Sequence, residues 1–555
     1  MPKTFSFSRL ALEQNWRENR DKFWGSATAF AIATPPPSDD LRYLKSSALN
    51  IWLLGYEFSE TIMVFSDKQI HILCSQRKAM LFYDVFKKSA KEAVNVDVVM
   101  HMKAKNEDGS TQMEKILRAV ESEGTPILGY VSREAPEGKL LESWMDKLKS
   151  SGIKLADVTN GLADLFYLKD DEELKNVEQA AYLIAFAMKT HVVPKLEKVI
   201  DEEKKITHAS LMEETEGVII EPSRIKVKLK AYRVDICYPP IFQSGGNFNL
   251  RPSASSNDDY LFYDPASVII CALGAQYKCY CANVARTFLI DPNATQSKAY
   301  KVLLKAHEAA IGALKVGSKA SDVYRAAYTV VEKEAPELTS NLTKSAGTGI
   351  GLEFRELGLN LNEKNERILK AGMVLNVSLG FQNLQSKSSE AKSQNYALLL
   401  ADTVLVTEIG CKVVTSFSTK AYEDVAYSFS VSEEHQAELA PEKNKETAQR
   451  LAGGKSATGD GTLVTQEQLD DEEVGVTWEE LVEADDDDYD DDYDDDDDDD
   501  DDDEEELEIE ASNTDKEKVV ESDSEEERKR RKMKAFGKSR AGPSSSAPKR
   551  LRLKR

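Results

Sequence analysis

Residues able to do chemistry are scattered through this chain without the spacing that chemistry needs. Six histidines (His71, His101, His191, His208, His307 and His435) form no pair at the separation that sets two imidazoles on one helix face. They receive no role. Cys279 and Cys281 read as sharing one strand face with Cys271 near them, but three thiols without a histidine are better explained as small buried apolar groups than as a zinc site. GTGIG at 347–351 is rich in glycine yet lacks a following Lys-Ser or Lys-Thr and the strand-loop-helix setting of a phosphate loop, so it reads as a tight turn. With no Walker-type loop, ATP hydrolysis is not expected.

The strongest chemical signal is charge. Among 555 residues, 97 acidic and 72 basic side chains give a formal charge of −25. Over 485–510 only Tyr489, Tyr493, Leu507 and Ile509 are not acidic, whereas 528–555 contains Lys and Arg but no acid. Nearly all the net charge therefore falls after Ser432. A run of this kind cannot collapse against its own repulsion and is expected to be disordered, and it attracts polycations in a salt-dependent way.

Six cysteines in so long a chain do not make a disulfide framework, which points to a reducing compartment. The amino terminus, MPKTFSFSRLALEQNWREN, has no apolar core followed by a cleavage site, and no stretch approaches the roughly 20 apolar residues of a membrane span. Secretion and membrane insertion are not expected.

The elements that would position these residues fall into two folded parts and a tail. Residues 1–170 read as an amino-terminal α/β lobe. TIMVFS and QIHILC, separated by Asp67-Lys68, predict a hairpin, and NVDVVMH and ILGYVS predict further strands. Residues 171–432 read as an α+β domain with a curved antiparallel sheet. Its helical runs are VEQAAYLIAFAMKTHVVPKLEKVI, which Pro194 should kink or interrupt; ATQSKAYKVLLKAHEAAIGALKVG, stopping at Gly317; and a third, N-capped by Ser321. Its strands are ASVIICALGAQY, KCYCANVARTFLI, MVLNVSLGFQ and YALLLADTVLVTEI. Residues 433–484 read as a linker, 485–510 as the acidic disordered run and 511–555 as a basic disordered tail with a nuclear localisation signal.

GAQYKCYCANVARTF, SAGTGIGLEFRE, AGMVLNVSLGF and LLLADTVLVTE resemble, in order, the four active-site segments of the creatinase and aminopeptidase P "pita-bread" family. In that family two Asp, one His and two Glu hold two divalent metals. The resemblance places Ala272, Asn283, Thr348, Ser378 and Ala401 at those positions, so all five ligands are replaced. Two methyls, two hydroxyls and an amide supply no charge to offset the repulsion of two cations about 3.5–4 Å apart. Asp402 follows Ala401 in a strand and should face the other way. The family scaffold carries acids like Glu353 and Glu356 without using them as ligands, and its other active-site histidines correspond to Lys344 and Arg355, while Gly347, Gly349, Gly351 and Gly372 remain. No catalytic residue, cofactor or metal is expected.

Within that fold the chain resembles one lineage, the large subunit of the histone chaperone complex FACT. The motifs are KSSALNIWLLGYEFSETIMVF, CYPPIFQSGGNFNL, KCYCANVARTFLIDP, GIGLEFRE and LKAGMVLNVSLGF, across residues 10–430, with VTWEEL, an acidic run and a basic terminus beyond. The resemblance implies a shortened, non-catalytic, nuclear and chromatin-associated histone chaperone that reorganises nucleosomes in transcription, replication and repair. The family's dimerisation and middle domains have no room in this chain, which bears on whether the smaller FACT subunit binds. An adaptor without chaperone activity and a metal-dependent X-Pro aminopeptidase are the alternatives. Histone contacts are expected at Asp485, Asp494 and Glu504 in the acidic run, with Trp478, Tyr489 and Tyr493 as aromatic anchors. Arg528, Lys529, Arg530, Arg531 and Lys532, with Lys549 and Arg550, read as import signals, and Ser522 and Ser524 in ESDSEEE suit an acid-directed kinase.

Overall fold

Alternation of apolar residues builds the first of two sheets. The computed structural model describes residues 11–38, 43–55, 57–104, 107–124, 126–387, 390–431 and 551–554. In the lobe, β1 (Ala29–Thr34), β2 (Thr61–Ser66), β3 (Gln69–Ser75), β4 (Asp97–Lys103), β5 (Ile127–Tyr130) and β6 (Lys154–Asp157) form a mixed sheet in the order β4-β3-β2-β1-β5-β6. The expected hairpin is β2–β3, closed at Asp67-Lys68. Helices α1 (Lys45–Leu54), α2 (Gln76–Val94), α3 (Ser110–Glu121), α4 (Lys139–Ser150) and α5 (Thr159–Phe166) complete the lobe. Phe30 stacks on Phe65 at 4.7 Å in its core.

The body begins with α6 (Asp171–Ala187), whose capping box joins Asp170 and Glu173. Pro194 does not end this helical run. The chain widens into a π-turn at Met188–Val192 and resumes as α7 (Val193–Asp201), where a proline in the first turn needs no intrahelical N–H partner. Next come α8 (His208–Ile220), α9 (Ala294–Gly312) and α10 (Ala320–Glu334). Helix α9 stops before the expected Gly317, whose N–H is instead bonded to Leu369 O at 2.9 Å. The cap of helix α10 lies two residues before the expected Ser321: it is Lys319, whose N–H is accepted by Asp322 at 2.9 Å.

The second sheet runs β12 (Glu356–Asn360), β11 (Gly347–Gly349), β13 (Val374–Gln385), β14 (Asn395–Thr407), β10 (Tyr280–Ile290), β16 (Ala426–Val431), β17 (Leu551–Lys554). Strands β7 (Val234–Ile236), β8 (Ile241–Gln243) and β9 (Ser267–Tyr277) join through β9, which pairs with β10, and β15 (Gly410–Val413) pairs with β14. All its pairings are antiparallel except β10–β16. Strand β17 corrects the expectation of a wholly disordered basic tail: LRLK alternates apolar and basic residues and lies antiparallel on β16, pairing Phe429 with Leu553. The linker, the acidic run and the rest of the basic tail lie outside the described residues. Both sheets belong to one compact unit. Among the described residues no helix is long and apolar enough to cross a membrane.

Candidate functional site

Strand register brings the five positions of interest onto one sheet face. Ala272 pairs with Ala285, Ala285 with Ala401, and Ala401 with Ser378, which makes one row across β9, β10, β14 and β13. Two residues along, and therefore on the same face, Gly274 pairs with Asn283, Thr403 with Asn376, and Asn376 with Thr348. Between β10 and β14 the Thr403 hydroxyl joins the two strands, accepting Asn283 N–H at 2.8 Å and donating to Asn283 O at 2.9 Å. Gly347 is required beside Thr348: its φ is +125°, and a Cβ there would fall 1.9 Å from Asn376 O.

The face is occupied by neutral groups bonded to one another. Tyr238 donates its hydroxyl to Asn283 Oδ1 at 2.5 Å, and Asn283 Nδ2 donates to Asn376 Oδ1 at 3.0 Å. Asn283, Asn376, Thr348, Ala272 and Ala401 are all buried. Neither Tyr238 nor Asn376 stands out in the sequence, although both sit inside the quoted motifs, CYPPIF and GMVLNVSLGF. These residues do not fit a pair of divalent cations, because they include no carboxylate or imidazole and their amides are bonded to each other. Among the described residues no three His, Cys, Asp or Glu side chains gather so as to hold a metal ion.

Asp402 points to the opposite face, as strand alternation requires. Its carboxylate accepts from Arg286 Nη2 at 2.7 Å, Lys420 Nζ at 2.7 Å and Thr415 Oγ1 at 2.8 Å. Burial opposes its ionisation, but Arg286 and Lys420 outweigh burial and hold the carboxyl well below the usual range. His307 lies beside this group; it donates Nε2–H to Val377 O at 3.1 Å and faces Lys420 Nζ through Nδ1 at 3.2 Å. Burial first, then Lys420, pushes its pKa down to about 3, so it is neutral.

Glu353 and Glu356 have become tethers. Glu353 is ion-paired with Lys45 of α1, and Glu356 Oε1 with Lys169 Nζ at 2.5 Å, with all four side chains almost wholly buried. Glu134 of the lobe accepts the Lys45 and Ser46 amides at the same helix start. Burial raises all three carboxyls, against the pull of the lysines and these amide bonds. Tyr43 also reaches across, donating to Cys237 O at 2.8 Å with its ring 6.4 Å from Phe354, which packs edge-on against Tyr238 at 5.1 Å. Lys344 and Arg355 are exposed.

The structure corrects two expectations from sequence. Cys279 does not share a strand face with Cys281, because Lys278 and Cys279 are the two positive-φ residues of the β9–β10 turn. The histidines are not all isolated either: parallel pairing of β3 and β4 sets His71 Nδ1 3.1 Å from His101 Nε2, a proximity that their distance along the chain conceals. Trp478, Asp485, Tyr489, Tyr493, Asp494, Glu504, Ser522, Ser524, Arg528, Lys529, Arg530, Arg531, Lys532, Lys549 and Arg550 lie outside the described residues.

The sheet, its helices and this face define a metallopeptidase-type pita-bread body behind a separate α/β lobe. Residues 176–408 match the model of metallopeptidase family M24, and residues 3–161 match that of the FACT complex subunit SPT16 N-terminal lobe domain. The chain belongs to the FACT complex subunit SPT16 family. It is 57% identical over 497 residues to the FACT complex subunit SPT16 of Oryza sativa subsp. japonica, covering 82% of this chain and 47% of that protein. The solved N-terminal domain of FACT complex subunit SPT16 from chickpea is 57% identical with a TM-score of 0.75, covering 77% of this chain and 99% of that one. An Xaa-Pro dipeptidase from Bacillus anthracis shares the fold at 17% identity, with a TM-score of 0.55 over 75% of this chain and 99% of its own. The chain spans about half the length of the curated relatives it matches.

Proposed function

We propose that this chain is a non-catalytic histone chaperone subunit that shields histone surface while nucleosomes are reorganised during transcription, replication and repair. The observation that carries the reading is the Tyr238–Asn283–Asn376 cluster, built where the family's peptidases hold metal. On this reading Ala272, Asn283, Thr348, Ser378 and Ala401 are lost ligand positions, and the filled face makes the body a docking scaffold. Hydrolysis of an X-Pro peptide with added manganese or cobalt would overturn it.

The acidic run supplies the histone-binding charge, with Asp485, Asp494 and Glu504 along its length. Charge gives fast encounter, and Trp478, Tyr489 and Tyr493 give desolvated anchors. The deciding experiment compares histone-dimer affinity against salt for the whole chain and for a chain ending at Ser432. Binding by the whole chain alone puts the activity after Ser432; binding by neither favours an adaptor. Replacing Tyr489 and Tyr493 with Ala should weaken binding while leaving the salt slope nearly unchanged, and equal affinity removes the anchors. The clusters at 528–532 and 549–550 direct nuclear import, and phosphorylation of Ser522 and Ser524 adds negative charge beside them. A tagged 511–555 fragment that stays cytoplasmic would refute the import signal.

A further inference from the structure

The segment 222–233, PSRIKVKLKAYR, carries five cations and no acid, and the histone reading does not use it. It leaves α8 through a short 3-10 turn and runs along the body surface into β7. Its period-two pattern is realised in space: Val227 is buried, Ile225 and Leu229 pack against the core, and Arg224, Lys226, Lys228 and Lys230 are exposed. Glu221 neutralises Arg224 at 2.6 Å, whereas no ion pair among the described residues involves Lys226, Lys228 or Lys230. The comb ends at Tyr232, which is 77% exposed, with the Arg233 guanidinium 5.5 Å from its ring. The backbone N–H of Lys278 in the neighbouring turn holds this end in place, bonded to Arg233 O at 2.8 Å.

A solvated face does not need this arrangement. Lysines in solution-facing segments are usually interleaved with acids, and a tyrosine usually keeps its ring against the protein. Here the apolar positions anchor the stretch and leave Lys226, Lys228 and Lys230 in the solvent, Lys226 closing the first 3-10 turn at φ +62° and Lys228 and Lys230 leading to a second at Ala231–Arg233. Such a row faces a linear polyanion. An acidic peptide would match the row but would have no use for an open aromatic face at its end. A nucleotide chain uses both, its phosphates on the lysines and a base on the ring.

We infer that Lys226, Lys228, Lys230 and Tyr232 form a single-stranded nucleic-acid contact on the body, with the lysines on phosphates and Tyr232 stacked on a base. This proposal does not rest on histone binding. The test is fluorescence anisotropy of a labelled oligo(dT) about 20 nucleotides long, several times the site size of one such contact, with the whole chain across a salt series. Lys226→Gln/Lys228→Gln/Lys230→Gln should reduce the log–log salt slope by about two and weaken binding on the order of 100-fold near 0.1 M salt. Tyr232→Ala should weaken it roughly 5- to 150-fold with the slope kept. All four side chains are on the surface, so melting temperatures should match the parent. An unchanged slope in the triple variant places the binding elsewhere, such as the basic terminus, and overturns the proposal. So does absence of binding by the parent, or a polyglutamate peptide that binds the row independently of Tyr232.

Discussion

Lys45 and Glu353, 308 residues apart, form an ion pair in which both side chains are under a tenth exposed. Lys45 opens α1 of the lobe, and Glu353 lies between β11 and β12 of the body. Close by, Lys169 and Glu356 make a second pair with side chains 1% exposed on both sides. These two buried pairs join the lobe to the body.

Lys45→Met should destabilise the fold by about 3–5 kcal/mol, because Glu353 is left as a buried carboxylate without a counter-charge. The double variant Lys45→Met/Glu353→Met should recover most of that loss, since the pair's own net contribution is small once both charges are gone. Urea denaturation of the singles and the double forms the cycle. Additive losses would show that the two residues do not act as a pair.

Asp402→Asn should cost about as much, and for the mirror-image reason: Arg286 and Lys420 remain as buried or partly buried cations with no carboxylate. Because its carboxyl is depressed, the stability that Asp402 provides is present above its unfolded pKa near 3.8 and is lost as pH falls below it. The parent should therefore lose stability in strong acid, and the Asn variant should lose less over the same interval.

Strand parity explains what is legible in the sequence. A period of two is enough to turn Asp402 away from the face of Ala401, and the structure agrees. Distance along the chain explains what is not. Lys45, Lys169 and Tyr43 meet the body only after the lobe has folded against it, and nothing local in KSSALN marks Lys45 as a counter-ion. His71 and His101 come together only through the β3–β4 pairing. Cys279 misleads because a two-residue turn with two positive-φ residues looks, in sequence, like continuing strand. Pro194 carries the signature of a helix break, and the extra residue of a π-turn absorbs it.

Asn283→Asp tests whether the neutral cluster is a packed structural unit. Asn283 donates to Asn376 Oδ1 and accepts from Tyr238, so a carboxylate there meets Asn376 oxygen to oxygen in a buried place. The expected loss is about 1–3 kcal/mol or more in denaturant unfolding at neutral pH, shrinking as pH falls and the new acid is protonated. Added manganese should not restore it, since one carboxylate among two methyls and two hydroxyls makes no binuclear site. A metal-dependent rise in melting temperature would contradict this.

The pH dependence of stability should carry two opposed limbs that single substitutions separate. His307 is neutral in the folded chain, its pKa pushed by burial and Lys420 from 6.5 to about 3; the unfolded chain therefore takes up a proton first, and stability is lost as pH falls from about 6.5 toward 3. Glu173 behaves in the opposite sense. Burial, against the bond from the Asp170 amide, raises its carboxyl from 4.5 to about 7, so the folded chain holds a proton that the unfolded chain releases. Stability attributable to it falls as pH rises from about 4.5 to 7, by a few kcal/mol at most if the whole shift is expressed. Glu173→Gln keeps the geometry, because the glutamine Oε1 still accepts the Asp170 N–H while its Nε2 donates to the Tyr280 hydroxyl, the two partners lying 2.8 Å from the present oxygens. The Glu173→Gln variant should thus match or exceed the parent at pH 7 and show a flatter profile between about pH 5 and 7, while His307→Gln should flatten only the acid limb. Melting temperatures across about pH 4–8 decide it: a Glu173→Gln chain with the parent's slope would mean that Glu173 titrates at its ordinary value and that Tyr280 and the helix amides fully offset its burial.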